Sequence, residues 1–260
     1  WTVDTLNFET TVTNSVFINN KAMETGGCFY LENSILNITR SNFSENKAHS
    51  AAVLHTSHNG YLVGSILSSF YLISNCIFTN NFAWGDGNVY GGVFKIMIPN
   101  AQFLLKNCSF VDNGINCVNI ASASRGGIIN GRDNISIEID HCYFTKAKAD
   151  YGSVIYAEDY PRVRVANTNF SNINYYCNSG DSTGFKGGTI SLQNHATAIV
   201  DKTTFGHITV SRGGALKVNN DWNILINDSI LFNLYGDTAA CIAAGTKGTL
   251  TILNSHIASN

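Results

Sequence analysis

The chain has 260 residues, a formal net charge of −2 and only 13% charged residues, about half the usual share. That balance removes the basic footprint of a nucleic-acid binder, and no apolar run of about 18 residues marks a membrane insertion in this segment. Gly, Asn, Ser and Thr are scattered throughout, and no window sustains apolar residues at helical spacing, which excludes a helical fold.

Taken in order, the chain is one unit returning. A short alternating strand runs into Phe17, and Gly26-Gly27-Cys28-Phe29 then opens a second strand with a pair of small residues. The aromatic position recurs as Phe43, Phe78, Phe110, Phe144, Phe170 and Phe205, then as Leu231 and Ile257. The small pair recurs at Ala51-Ala52, Gly91-Gly92, Gly126-Gly127, Gly152-Ser153, Gly187-Gly188, Gly213-Gly214 and Ala239-Ala240. Phe17 to Phe43, Phe144 to Phe170 and Phe205 to Leu231 are each 26 residues apart. Longer periods come from inserts at two places only, before the small pair (83–89, 114–124, 174–186) and after its strand (57–68). Inserts confined to fixed points mean loops on a stacked scaffold.

Five and seven residues before each aromatic stand apolar pairs such as Leu36/Ile38, Phe103/Leu105 and Ile224/Ile226, the period of a half-buried strand. Two before it the residue is always small, from Ser15 through Cys76, Cys108 and Cys142 to Ser255. Three before it stand Asn14, Asn75, Asn107, Asn167 and Asn254, with Arg40, His141, Lys202 and Asp228 as variants. Three strands parted by polar corners describe one coil of a parallel β-helix, whose apolar face is buried only by stacking. The sequence therefore predicts an all-β, right-handed parallel β-helix of about eight coils, one solenoid over 1–260. Asn suits a corner because it tolerates the left-handed region and its amide can bond along a stack. The small pair suits a corner needing positive φ or close packing, and the Phe column is expected as a buried stack of rings.

Phe17-Ile-Asn-Asn20, Phe43-Ser-Glu-Asn46, Phe78-Thr-Asn-Asn81 and Phe110-Val-Asp-Asn113 all read F-x-x-N. With Gly213-Gly214-Ala215-Leu216 they resemble the F-x-x-N and G-G-A-[ILV] repeats of polymorphic outer-membrane proteins, and similar repeats of protist surface proteins. That resemblance, within the pectin-lyase-like folds, implies a surface-displayed β-helix outside the cell. Phe144, Phe170 and Phe205 depart from it, lacking Asn three residues on. The opening Trp1 and the shortened unit Ile257-Ala-Ser-Asn260 read as a segment of a longer chain, so continuation of the solenoid or self-association is the expected partnership.

Seven cysteines are present. Cys76, Cys108 and Cys142 share one inward column and read as free thiols, whereas Cys117 and Cys177 share one corner two coils apart and are a candidate disulfide. No Cys/His cluster has metal-site spacing, and no cofactor is expected. Among the sequons, Asn42 and Asn169 flank an inward Phe and should point outward, which makes them the candidate glycosylation sites.

Ile139-Asp140-His141-Cys142 resembles the W-I-D-H segment of pectate lyases, which would make Asp140 and His141 catalytic and let Glu158 and Asp159 supply oxygens to Ca²⁺. Against it, the pair fills a corner that reads Lys-Asn or Ala-Asn in neighbouring coils, the Trp is missing, and no R-x-x-P-x-x-R element follows. In the inserts, Trp84, Tyr90, Tyr175 and Tyr176 line one edge, either as a carbohydrate-stacking surface or packed on the solenoid. In the small-pair strand, alternation predicts that Val53, Val93, Ile128 and Val154 face outward as an interface stripe, with Lys95, Asn130 and Lys217 outward beyond them. The reading that follows is a non-enzymatic extracellular or cell-surface solenoid used for adhesion or as a filament subunit. Carbohydrate binding or polysaccharide cleavage on the same fold is the alternative.

Overall fold

The computed structural model describes residues 8–32, 34–57, 69–85, 88–116, 124–174, 187–210 and 212–258. Every strand pairing among them is parallel, and each strand pairs with its counterpart in the coils before and after. Three long sheets form the faces of a β-helix. The first carries nine strands, from Phe8–Thr13 to Gly248–Leu253. The second, also of nine, runs from Val16–Ile18 to His256–Ala258, and the third has eight, from Phe29–Glu32 to Ile242–Ala244.

The second sheet is in register at the aromatic position: Phe43, Phe78, Phe110, Phe144, Phe170 and Phe205 lie one above the next. Their rings are near parallel, with centroids 4.9, 4.5, 4.8, 5.1 and 4.7 Å apart in that order. Phe17 starts the stack half-buried, 4.8 Å from Phe43. Inter-strand spacing of about 4.8 Å dictates the ring separation, so the column follows directly from register. Around it the paired apolar residues of the first sheet from Leu36/Ile38 to Ile224/Ile226 are buried, as are Phe94, Ile129, Ile155 and Leu216 of the third.

The corners explain the polar columns. All nine residues three before the aromatic position have positive φ, from Asn14 at 48° to Asn254 at 46°, including Arg40, His141, Lys202 and Asp228. Asn is the least strained ordinary residue there. The first residue of the small pair is also left-handed, as at Gly91 (φ 65) and Gly126 (φ 70). At Gly92 a Cβ would lie 2.0 Å from the Gly127 carbonyl oxygen, so the corner is closed to any side chain.

The bonded amide ladder lies elsewhere, at the last position of F-x-x-N. Asn46, Asn81 and Asn113 are fully buried. The Asn81 Oδ1 accepts from both the backbone N–H (3.1 Å) and the side-chain amide (2.8 Å) of Asn46, and Asn113 does the same for Asn81 (3.0 and 2.9 Å). Each Nδ2 also donates to the Phe carbonyl one coil back, as Asn81 does to Phe43 (2.9 Å). In later coils Ala147, Ile173, Ile208 and Leu234 take this column and are buried. In the three coils after Ala147 the second-sheet strands run on through the corner, as Asn169–Asn174, Thr204–Val210 and Ile230–Gly236, so the backbone ladder replaces the amide ladder.

The expected outward stripe is corrected. Val53, Val93, Ile128 and Val154 are completely buried and belong to the main core. Alternation fails because the strand proper starts one residue later. The amides of Val53 and Leu54 both donate to the Val93 carbonyl, and those of Val93 and Phe94 both to the Ile128 carbonyl. Two consecutive donors on one acceptor form a bulge, which turns both side chains inward.

Two substitutions test these columns. Phe110→Ala is expected to cost about 3–5 kcal/mol in denaturant unfolding, because the ring leaves a cavity between Phe78 and Phe144. Asn81→Ala orphans two buried Asn46 donors at about 1–3 kcal/mol each, so it should destabilise comparably although far less volume is removed.

Candidate functional site

The corner between the first and second sheets carries a shallow groove of about 570 Å³ lined by Asn75, Asn107, His141, Asn167, the thiols of Cys76, Cys108 and Cys142, and Tyr143. Asp140 ends the strand Ser136–Asp140 and His141 follows in the left-handed corner, at φ 51. The Asp140 carboxylate accepts from the Asn167 amide (2.9 Å) and contacts His141 Nδ1 at 2.9 Å through the same Oδ1. Burial alone would raise its carboxyl, but the Asn167 donor and His141 outweigh it and hold it below the ordinary carboxylate value. Such a carboxylate stays ionised at neutral pH and is committed to the corner.

Glu158 and Asp159 are not brought to this corner. They precede the strand Arg162–Ala166 of the first sheet, and Asp140 lies beside the far end of that strand, opposite Ala166. Glu158 accepts from Tyr156 (2.7 Å) and lies 3.7 Å from Arg132, while Asp159 accepts from Asn194 (2.9 Å). The expected oxygen set is therefore split between two corners. Among the described residues no group of three or more His, Cys, Asp or Glu is placed to hold a metal ion.

The thiols belong to a column that runs the length of the solenoid. At each of its nine positions the hydroxyl or thiol donates to the carbonyl two residues back: Ser41 to Thr39 (2.9 Å), Cys76 to Ser74 (3.1 Å), Cys108 to Lys106 (3.2 Å), Thr168 to Ala166 (2.7 Å). Several members also accept a backbone N–H from the coil before, as Cys142 does from Cys108 at 3.5 Å and Ser41 from Ser15 at 3.1 Å. The neighbouring Cys142 thiol, together with burial, pushes Cys108 up to about 12 against the opposing effect of Cys76, which makes it a poor nucleophile at neutral pH. Small size alone does not explain this column. The overlooked signal is that every member is Ser, Thr or Cys and none is Ala or Gly.

Trp84 and Tyr90 are half-buried at the insert corner. The Lys21 ammonium lies 5.4 Å from the Trp84 ring, and Lys95 and Arg125 each lie 5.6 Å from Tyr90. Cations thus engage both rings, which favours packing on the solenoid over a bare stacking surface. Tyr175, Tyr176, Cys117 and Cys177 lie outside the described residues. Cys28, Cys76, Cys108, Cys142 and Cys241 carry free thiols.

On the outer face of the third sheet, Asn130, Tyr156 and Lys217 point away from the core yet are only 5%, 1% and 2% exposed. Arg125 lies 5.3 Å from the Tyr156 ring and 5.9 Å from Tyr151, and Lys217 lies 4.9 Å from Tyr151. Burial, with Arg212 nearby, brings the Lys217 ammonium down to about 8. The sequence signal for this covered cation–aromatic wall was Tyr90, Arg125, Tyr151 and Arg212, each just before a small pair. Asn42 and Asn169 are exposed on the second sheet, outward as expected.

No family model matches the chain, and no solved structure matches it. A transmembrane domain-containing protein of Dictyostelium discoideum is 36% identical over 91 residues, covering 35% of this chain. The match spans 5% of that relative's length. Among the described residues no helix is long and apolar enough to cross a membrane.

The corner reading of the Asp140–His141 pair has a direct test. His141→Asn should change stability by no more than about 0.5 kcal/mol, since Asn is the common residue at this left-handed position. Asp140 has a lowered folded pKa, so its contribution is present above the unfolded value of about 3.9 and is lost as pH falls through the folded one. The stability gap between the wild-type chain and Asp140→Asn, read from melting curves, should therefore narrow on acidification and close below the folded pKa.

Proposed function

We propose that the protein is a non-enzymatic structural solenoid displayed at the cell surface, serving adhesion or stacking end to end. The observation that carries this reading is that Asp140 and His141 occupy a corner whose left-handed backbone recurs in nine coils, filled elsewhere by Asn, Arg, Lys or Asp. A residue pair demanded by a repeated corner needs no catalytic explanation. Resemblance to the F-x-x-N repeats of polymorphic outer-membrane proteins supports surface display. So does a relative described as containing a transmembrane domain, which suits a solenoid carried by a much longer, membrane-anchored chain.

Carbohydrate binding is the second reading, favoured by the amide-lined groove of Asn75, Asn107 and Asn167 beside Tyr143. Amides and an aromatic edge suit a neutral polyhydroxylated ligand.

Three measurements separate these. Surface labelling of unpermeabilised cells should reach the chain, and electron micrographs of the purified protein should show rods or fibrils. Incubation with polygalacturonate and Ca²⁺ should release no unsaturated product from the wild type. Product that disappears in His141→Ala would replace the scaffold reading with the lyase one.

A further inference from the structure

The outer face of the second sheet has an unusual composition. The residues immediately before and after its nine core positions include no Lys, Arg, Asp or Glu. Several are large and apolar yet exposed: Val16 at 62%, Ile77 at 51%, Tyr143 at 37% and Ile230 at 46%. In a chain this poor in charge, such a face requires a cover that is compatible with water.

Two sequons lie on this face with their side chains outward. Asn42 and Ser44 flank the buried Phe43 on the strand Asn42–Ser44, and Asn169 and Ser171 flank Phe170 in the same way. Three of these exposed apolar residues, Val16, Ile77 and Tyr143, are their direct neighbours across the ladder. Asn42 is in register with Val16 on one side and Ile77 on the other, and Asn169 is in register with Tyr143.

Other sequons are engaged by the fold. The Asn134 amide nitrogen donates to Asn100 (2.6 Å), and that of Asn227 donates to Asp201 and Asp228 (both 2.9 Å). Asn37 is half-buried in the first sheet with its Oδ1 enclosed. Asn107 is exposed but stands in the left-handed corner of the groove rather than on the sheet.

We propose that Asn42 and Asn169 carry N-linked glycans, and that the first sugar of each lies over its apolar neighbours, on Val16 and Ile77 at one site and on Tyr143 at the other. The inference rests on the surface reading above. In the transfer, the Asn Nδ2 bonds to the anomeric carbon of a lipid-diphosphate-linked oligosaccharide. The bond from that carbon to the diphosphate oxygen breaks, the lipid diphosphate leaves, and the amide proton passes to the transferase's base. The apolar face of a pyranose stacks on an aromatic ring or covers an aliphatic side chain while its hydroxyls remain in water. Asn42 and Asn169 lie four strands apart, about 19 Å at about 4.8 Å per strand, so two glycans shield one uncharged face.

The test is to secrete the 260-residue chain from a eukaryotic cell and map the glycopeptides of the folded fraction. Occupancy at Asn42 and Asn169, with Asn37, Asn134 and Asn227 bare, is the expected result. A folded, secreted chain bare at both Asn42 and Asn169, or glycosylated only at the engaged positions or at Asn107, overturns the assignment. Stacking is read from a melting-temperature cycle of Tyr143→Ser against Asn169→Gln. Tyr143→Ser also removes the 3.2 Å contact between Ser171 and the Tyr143 hydroxyl, but equally in both backgrounds. A larger loss in the glycosylated background supports the contact, and equal losses overturn it. Occupancy in the secreted chain but none in protein from its natural source would leave the assignment of the two sites standing and overturn the surface localisation.

Discussion

Each coil of this solenoid can satisfy its backbone only through the coil above and the coil below. A strand of three to seven residues has no partner within its own turn, so every amide and carbonyl in the three sheets depends on a neighbour one period away in sequence. The axial spacing that this bonding imposes, about 4.8 Å, then governs everything placed on it. It puts like residues over like residues, and it makes a column, rather than a residue, the unit of structure.

The columns show how different side chains answer the same spacing. Phenylalanine rings take it as a parallel stack, with centroids 4.5 to 5.1 Å apart. Ser, Thr and Cys answer it by donating to their own strand and accepting from the previous coil, which ties off a corner N–H that no sheet bond reaches. Buried Asn does more, since one Oδ1 receives two donors and its Nδ2 reaches a carbonyl one coil back. Where Asn gives way to Ile173, Ile208 and Leu234, the strand itself is extended, and the backbone takes over the bonding that the amide had supplied.

The same logic bears on function. His141 in its left-handed corner is positioned by the repeat, and its neighbours along the column, Asn107 and Asn167, occupy the same left-handed geometry without an acid or a base. Surface chemistry in such a molecule is distributed along faces instead of gathered into a cleft. The first sheet carries charges such as Lys106, Asp140, Arg162 and Arg164, whereas the residues flanking the core positions of the second carry none. On four consecutive strands of the third sheet the outer residues Asn130, Tyr156, Ser191 and Lys217 are covered. Three faces with three surface characters give a solenoid distinct sides.

The sequence by itself determined the period, the strand-rich class, the aromatic column and the left-handed corners, because each is a property that repeats and so is written many times over. It also distinguished Asn42 and Asn169 as outward, since they sit one residue from a core Phe on a regular strand. Tertiary structure decided what alternation could not. The bulge at Val53, Val93, Ile128 and Val154 arises from two amides sharing one carbonyl of the next coil, a bond between residues 25 to 40 apart in sequence, so those side chains turn inward against their local pattern. Placement of Glu158 and Asp159 away from Asp140 was likewise fixed by the intervening strand, which sends neighbours in sequence to opposite ends of a face. The buried cation–aromatic wall depends on which residues cover the third sheet, and a repeat read along the chain carries no record of what lies across it.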